Sequence, residues 1–297
     1  MSDSLNFLDP SVLAGLDNLE LRARVVVEGF LSGLHRSPNR GFSPEFNDYR
    51  HYYRGDDMRH IDWKLYARSE KFYIKQYEDE TNVRCMVVLD TSASMSYSSG
   101  ETSKLDYGIT LASALAYFIN RQRDAVGLIT FDDKVNNYIP AKCRQPHLMQ
   151  ILRTLAQIKP GKKTDSVKPL IDLAASLNKK SMVILITDML DDEDRLIKTL
   201  QNLRGMGNDV IVFHVMDDAE LNFTFNEASE FVDMESDESF ITTPAAIRKA
   251  YLENLNEFLA FCKKQCQRSG VDYCLMNTSE PLDAALSAYM SKRAKSF

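Results

Sequence analysis

Continuous apolar runs, several of them closing on an acid and separated by helix-patterned segments, constrain this chain more than any other feature. "VRCMVVLD" ends at Asp90, "SMVILITD" at Asp188 and "NDVIVFHVMD" at Asp217, with "DAVGLITF" and "VDYCLMNT" of the same texture. A strand exposed on one face alternates apolar and polar residues, whereas an unbroken apolar run is covered on both faces. Between the first two runs, Leu105, Ile109, Ala112, Leu115 and Ile119 recur at helical spacing, entered through Ser103 as a cap. "DEDRLIKTLQNLRGMG" reads as a helix closed by Gly205 or Gly207. Strands alternating with helices predict an α/β fold: a doubly wound, mostly parallel, Rossmann-like sheet with helices on both faces.

The rest of the chain fits around that frame. "DDKVNNYIPA" turns back as an antiparallel edge partner, and helices are expected around 146–158 and 165–178. Residues 219–244 read as a hairpin insertion, followed by a long helix, the last strand and a last helix. Before residue 81 the texture differs. One or two helices over 1–35 lead into a segment rich in Arg, Asp, Tyr, Gly and Pro, too aromatic for disorder. "KFYIKQYEDE" then alternates as a half-exposed strand does. The expected organisation is an N-terminal appendage over 1–80 and a sheet domain over 81–297.

Composition removes several classes of function. A formal charge of -6 over 297 residues lacks the basic face that non-specific nucleic-acid binding needs. No stretch approaches the roughly 18–20 consecutive apolar residues of a membrane span. The N-terminus carries acids where a signal peptide carries lysines, so a cytoplasmic location is expected, with peripheral membrane attachment left open. The five cysteines show no paired C-x-x-C, and Cys262 and Cys266, although four apart on a helix, read as packing residues of a reducing compartment. The five histidines show no zinc spacing.

Ligands of open α/β sheets bind beyond the carboxyl ends of the strands, near the point where strand order reverses. Asp90 and Asp188 occupy such ends. In "VVLDTSASMS" the acid is followed by hydroxyls at Ser92 and Ser94, which a loop turning over the sheet edge can direct to one point. The bland reading is that acid and serines cap a turn. A carboxylate and hydroxyls are also hard oxygen ligands, suited to Mg²⁺, Mn²⁺ or Ca²⁺ and unsuited to soft metals. Mg²⁺ takes six oxygens, and "GKKTDS" offers Thr164 while "LITDML" offers Asp188. Those five ligands leave one place for water or for an oxygen from a partner.

The order D-x-S-x-S, a later threonine and then T-D after another strand resembles the metal-ion-dependent adhesion site of von Willebrand factor A domains. Asp90, Ser92, Ser94, Thr164 and Asp188 match it in order and element. The resemblance implies that serines and threonine touch the metal while the acids bind it directly or through water. Two departures stand out: Met189 occupies a position where that site often has glycine, and Thr164 lacks a preceding glycine pair. Upstream, "FSPEFNDYRHYYRGDDMRHIDWKLYAR" resembles the signature of the bacterial domain of unknown function 58 family, carried by Glu45, Phe46, Arg50, Tyr52, Gly55 and Asp56 and continued by Arg59, Ile61, Asp62, Trp63, Ala67 and Arg68. That resemblance implies a von Willebrand factor A-like core and action beside a MoxR-type AAA+ ATPase. Within the signature, Arg50, Arg59 and Arg68 have Asp56, Asp62 and Glu45 as partners, either as a salt-bridged clasp or as a docking surface.

Three functions compete. A Mg²⁺-dependent phosphohydrolase of the haloacid dehalogenase kind needs a second acid where Ser92 stands, and no lysine in a suitable context is evident. "GKKT" is no phosphate loop, and neither G-x-S-x-G nor a triad order is recognisable. A metal-independent scaffold is the second. The expected function is the third, a non-catalytic, metal-dependent interaction module whose partner, the MoxR-type ATPase or its client, supplies an acidic residue as the last ligand.

Overall fold

The computed structural model describes residues 18–36, 49–51, 66, 72–75, 83–161, 169, 171, 180–190, 193–225, 229–232, 239–242 and 244–293. The chain forms two compact units, one of Met1–Gly33 with Val83–Phe297 and one of Leu34–Asn82. In the smaller unit β1 (Tyr49–His51) and β2 (Tyr73–Lys75) pair antiparallel, and the rings of Tyr66 and Phe72 stack with centroids 4.4 Å apart. Apart from Arg50, whose backbone lies in β1, the signature residues fall outside the described residues.

The larger unit opens with α1 (Leu19–Arg36), numbered first in the chain. Then follow β3 (Arg84–Asp90), α2 (Lys104–Arg121), β4 (Ala125–Phe131), β5 (Val135–Lys142) and α3 (Gln145–Ala156). The second half holds β6 (Met182–Thr187), α4 (Glu193–Gly205), β7 (Asp209–Met216) and the short α5 (Asp218–Asn222). A hairpin of β8 (Ser229–Val232) and β9 (Ser239–Thr242) leads to α6 (Pro244–Arg268), β10 (Asp272–Asn277) and α7 (Asp283–Arg293). The helix expected over 165–178, like Thr164, lies outside the described residues.

Six strands form one sheet in the order β10-β7-β6-β3-β4-β5. All pairs are parallel except β4 with β5, which turns back along the edge as the sequence predicts. The chain builds outward from β3 to β4 and β5, then crosses back to β6 and builds the other way. Strand order therefore reverses between β3 and β6, and the ends of these two strands carry Asp90 and Asp188.

Both faces of the sheet are covered, which is why β3, β4 and β6 read as unbroken apolar runs. On one face Met86, Val88, Val183 and Leu185 pack with Leu196 and Leu200 of α4 and with Cys262 and Cys266 of α6. The two cysteines are thus core residues. On the other face Tyr289 of α7 places its hydroxyl 3.8 Å from Cys85 Sγ and meets Phe118 of α2 edge-on at 5.9 Å. Phe118 in turn meets Phe30 of α1 edge-on at 6.2 Å. Ala23, Val26, Val27 and Phe30 recur at helical spacing and are all buried, so α1 belongs to the core. Val26, Val27 and Phe30 each contribute about 1.5–3 kcal/mol by leaving water. Among the described residues no helix is long and apolar enough to cross a membrane.

Candidate functional site

β3 stops at Asp90 because the chain must leave the sheet there, and every hydroxyl that follows has a definable task. Thr91 donates both its N–H and its hydroxyl to the Phe131 carbonyl, at 2.7 and 2.8 Å, which pins the loop to the end of β4. The Ser92 N–H donates to Asp90 Oδ1 at 2.9 Å, a side-chain turn typical of aspartate. Ser94–Ser96 form a 3-10 turn, and the Ser96 hydroxyl donates to the Ala93 carbonyl at 2.7 Å. Thr91 and Ser96 are thereby absorbed by the loop. Ser92 and Ser94 are different, since their hydroxyls hydrogen-bond each other, oxygens 3.0 Å apart, beside Asp90 rather than bonding the loop's backbone. The loop ends at Ser103, whose side chain accepts the Asp106 N–H and caps α2.

β6 lies beside β3, with Leu89 opposite Ile186. The next residue, Thr187, donates its hydroxyl to Asp90 Oδ2 at 2.7 Å and accepts the Met189 N–H at 3.1 Å. Met189 has φ 55°, the left-handed region that glycine enters without penalty and an L-residue at roughly 1–2 kcal/mol. Its side chain is buried in the core. The backbone shape expected of a glycine is kept here by a methionine anchored from below. Asp90 and Asp188 are 1% and 2% exposed. Burial, and then the charge of Asp188, push the Asp90 carboxyl up to about 7, against the hydrogen bonds from Ser92 and Thr187.

A cation stands beside this pair. Lys104, at the first position of α2 and 1% exposed, reaches Asp188 Oδ2 at 2.9 Å and Glu220 Oε1 at 2.8 Å. Burial alone would lower its pKa, but the two carboxylates carry it above the ordinary lysine value. Glu220 is itself fixed, because its other oxygen accepts the Asp217 N–H in a capping box at the start of α5. Asp217 accepts from Ser99, Ala219 and Thr278. One polar network thus runs from the end of β3 to the end of β7.

The donor set fits a hard divalent cation. Hydroxyl oxygens 3.0 Å apart have the spacing of neighbouring ligands in an octahedron of radius about 2.1 Å, the Mg²⁺ distance. Burial and the charge of Asp188 make Asp90 costly to ionise, a cost that a dication relieves. Among the described residues no group of three or more His, Cys, Asp or Glu side chains gathers as a ligand set, so any metal here rests on hydroxyls as much as on carboxylates. Thr164 lies outside the described residues. Gly161, on the same segment, donates its N–H to the Thr91 carbonyl at 2.6 Å. A Cβ at Gly161 would fall 2.5 Å from Asp132 Oδ2, so any other residue here has to displace the Asp132 side chain.

Of the residues singled out from sequence, Asp90, Ser92, Ser94 and Asp188 come together at the point of strand-order reversal. Sequence reasoning missed Thr187, Lys104 and Glu220, and it found no lysine in a suitable context. Each left a trace. A lysine in the first turn opposes the helix dipole, so Lys104 had to be there for another reason. "DDAE" carries the capping-box spacing from Asp217 to Glu220.

Comparisons with known proteins give the family and the fold. An uncharacterized protein of Mycobacterium tuberculosis (strain ATCC 25618 / H37Rv), Rv1480, is 26% identical over 220 residues, which cover 72% of this chain and 68% of that protein. An aerotolerance-related membrane protein from Bacteroides fragilis NCTC 9343, crystallised with multiple mutations to serines, superposes with a TM-score of 0.50 at 18% identity, over 72% of this chain and 99% of that one. BatB from Bacteroides thetaiotaomicron, a conserved hypothetical protein, gives 0.49 at 18% identity with the same coverage. The doubly wound architecture is the von Willebrand factor A-like one that the sequence predicts. The family described as "Protein of unknown function DUF58" matches residues 48–257, from the signature through the whole site to α6, and the chain belongs to that family.

Proposed function

We propose that this chain is a non-catalytic, metal-dependent protein-interaction module, an adaptor that acts with a MoxR-type AAA+ ATPase in protein assembly or maturation. The observation that carries the metal part is the pair of serine hydroxyls at octahedral spacing beside a buried Asp90. Ser94 is 8% exposed and Leu190, next along from Asp188 and Met189, is 46% exposed. A partner can therefore approach the rim of the site over an apolar residue and present a carboxylate. That oxygen completes a Mg²⁺ shell better than a neutral group does. The choice of ATPase rests on the family's resemblance in sequence.

The test is binding of the purified MoxR-type ATPase, and of its client proteins, in Mg²⁺ and in chelator. Binding should be lost in chelator and in the Ser92→Ala/Ser94→Ala double variant, and the two losses should not add, because both delete one contact. Binding that survives both treatments gives the metal-independent scaffold its place.

A phosphohydrolase draws some support from an acid at the end of a central strand with a lysine nearby. Two features weigh against it. Ser92 stands where the second acid belongs, and Lys104 is committed to Asp188 and Glu220. Turnover of phosphate esters in Mg²⁺, abolished in Asp90→Asn, would establish the enzyme instead.

A further inference from the structure

We infer that Lys104 is the resident counter-ion of the site and sets its affinity for a divalent cation. This deepens the metal-dependent reading and rests on it. Nothing in the helix calls for a lysine at this position, since the first turn of α2 carries partial positive charge from its unpaired N–H groups. The side chain is nevertheless buried, and both of its carboxylate partners are buried or half-buried with it. An ammonium withdrawn from water in this way is held by those partners or not at all.

The partners are locked from both sides. Glu220 is fixed by the Asp217 N–H at 2.8 Å, and the Asp188 carboxylate accepts the Leu190 N–H at 3.3 Å through Oδ1 while Oδ2 takes Lys104. Lys104 is therefore tied to two carboxylates that are themselves held in place. A metal held by Asp90, Ser92 and Ser94 shares this poorly screened interior with the ammonium. Repulsion between two cations there is far stronger than in water. Lys104 accordingly weakens divalent binding, while Glu220 offsets part of the ammonium's charge and strengthens it. In the metal-free protein the same ammonium keeps Asp188 from being an unpaired buried anion.

Lys104 and Glu220 thus push affinity in opposite directions, which a merely structural ion pair would not do. Calorimetric titration of the full chain with Mg²⁺ and with Mn²⁺ reads this directly, using wild type, Lys104→Gln and Glu220→Gln. The glutamine at 220 keeps an oxygen for the Asp217 N–H. Lys104→Gln should bind about tenfold more tightly or better, and Glu220→Gln about threefold more weakly. In chelator Lys104→Gln should melt below wild type, and Mg²⁺ should raise its melting temperature by more than it raises that of wild type. Equal affinities in all three proteins, or shifts of the same sign in both variants, overturn the inference and leave the metal reading intact. Should Lys104→Gln fail to fold in chelator, Glu220→Gln decides alone, and an unchanged affinity there overturns the inference. Binding by Lys104→Gln with none by wild type keeps the role of Lys104 and sinks the metal-gated reading of the native site. Binding by none of the proteins overturns both.

Discussion

Asp90 and His214 lie near the same end of the sheet, and burial acts on them in opposite senses. His214 sits opposite Thr187 in the β6–β7 ladder, with Nδ1 2.7 Å from the Tyr273 hydroxyl. Burial pushes its pKa down to about 4, although the charge of Asp188 pulls the other way. In the unfolded chain the imidazole takes its proton near the ordinary value of 6.5. Above pH 6.5 both states are neutral and the residue adds no pH dependence. As pH falls from about 6.5 to 4 the unfolded state binds the proton first, so stability falls. Asp90 opposes this, because its folded pKa of about 7 lies above the ordinary 3.8, and the folded state binds that proton first. The two slopes offset each other in wild type. His214→Phe removes one of them, so the change in its stability from pH 8 to pH 5 should be more favourable than that of wild type by about 2 kcal/mol. Urea unfolding at the two pH values in chelator measures this. Taking the difference cancels the pH-independent effect of losing the Tyr273 contact, and equal differences in the two proteins would exclude His214 as the source.

At the scale of elements, the strands were legible because coverage on both faces leaves unbroken apolar runs, and their acids marked where function gathers. The antiparallel return of β5 was expected too, from the short turn that joins it to β4. What sequence did not carry was the detail of backbone approach. Gly127 in β4 is an example. The β4–β5 register shifts between Val126 and Leu128, and a Cβ at 127 would meet the Ile139 carbonyl oxygen and Met86 Sδ at 2.6 Å each. Glycine marks a bulge where the edge strand closes on its neighbour. Backbone atoms give way less readily than the end of a side chain, so Gly127→Ala should cost about 3 kcal/mol, the upper part of the overpacking range. Denaturant unfolding checks it, and a loss below about 0.5 kcal/mol would show that the edge strand yields freely. The same limit explains Lys104 and Met189. A lysine's partner and a methionine's left-handed backbone depend on residues brought together from distant strands, and no spacing along one segment encodes them.

For the whole molecule, the position of the site determines what a ligand does to stability. β3 joins the β4–β5 side of the sheet to the β6–β7–β10 side, and the candidate site spans the ends of β3 and β6. A metal bridging the Asp90 loop to the Asp188 loop therefore holds the two halves together and opposes global unfolding. At about 100 times its Kd, Mg²⁺ should add roughly 2.7 kcal/mol to the folded state. For a domain of this size that corresponds to a melting temperature higher by about 5–10 °C. Asp90→Ala should erase the shift. In chelator that variant should melt somewhat below wild type, because the gain from removing a buried carboxyl that is costly to ionise is set against a Thr187 hydroxyl and a buried Ser92 N–H both left short of an acceptor, each worth about 1 kcal/mol or more. Ser96→Ala should keep the full shift, since its hydroxyl is spent on the Ala93 carbonyl inside the turn. Scanning calorimetry of the three proteins, each in excess Mg²⁺ and in chelator, separates the cases. A shift that persists in Asp90→Ala would put the stabilising ion elsewhere on the molecule, and a shift lost in Ser96→Ala would mean that the loop's shape, rather than its ligands, governs binding.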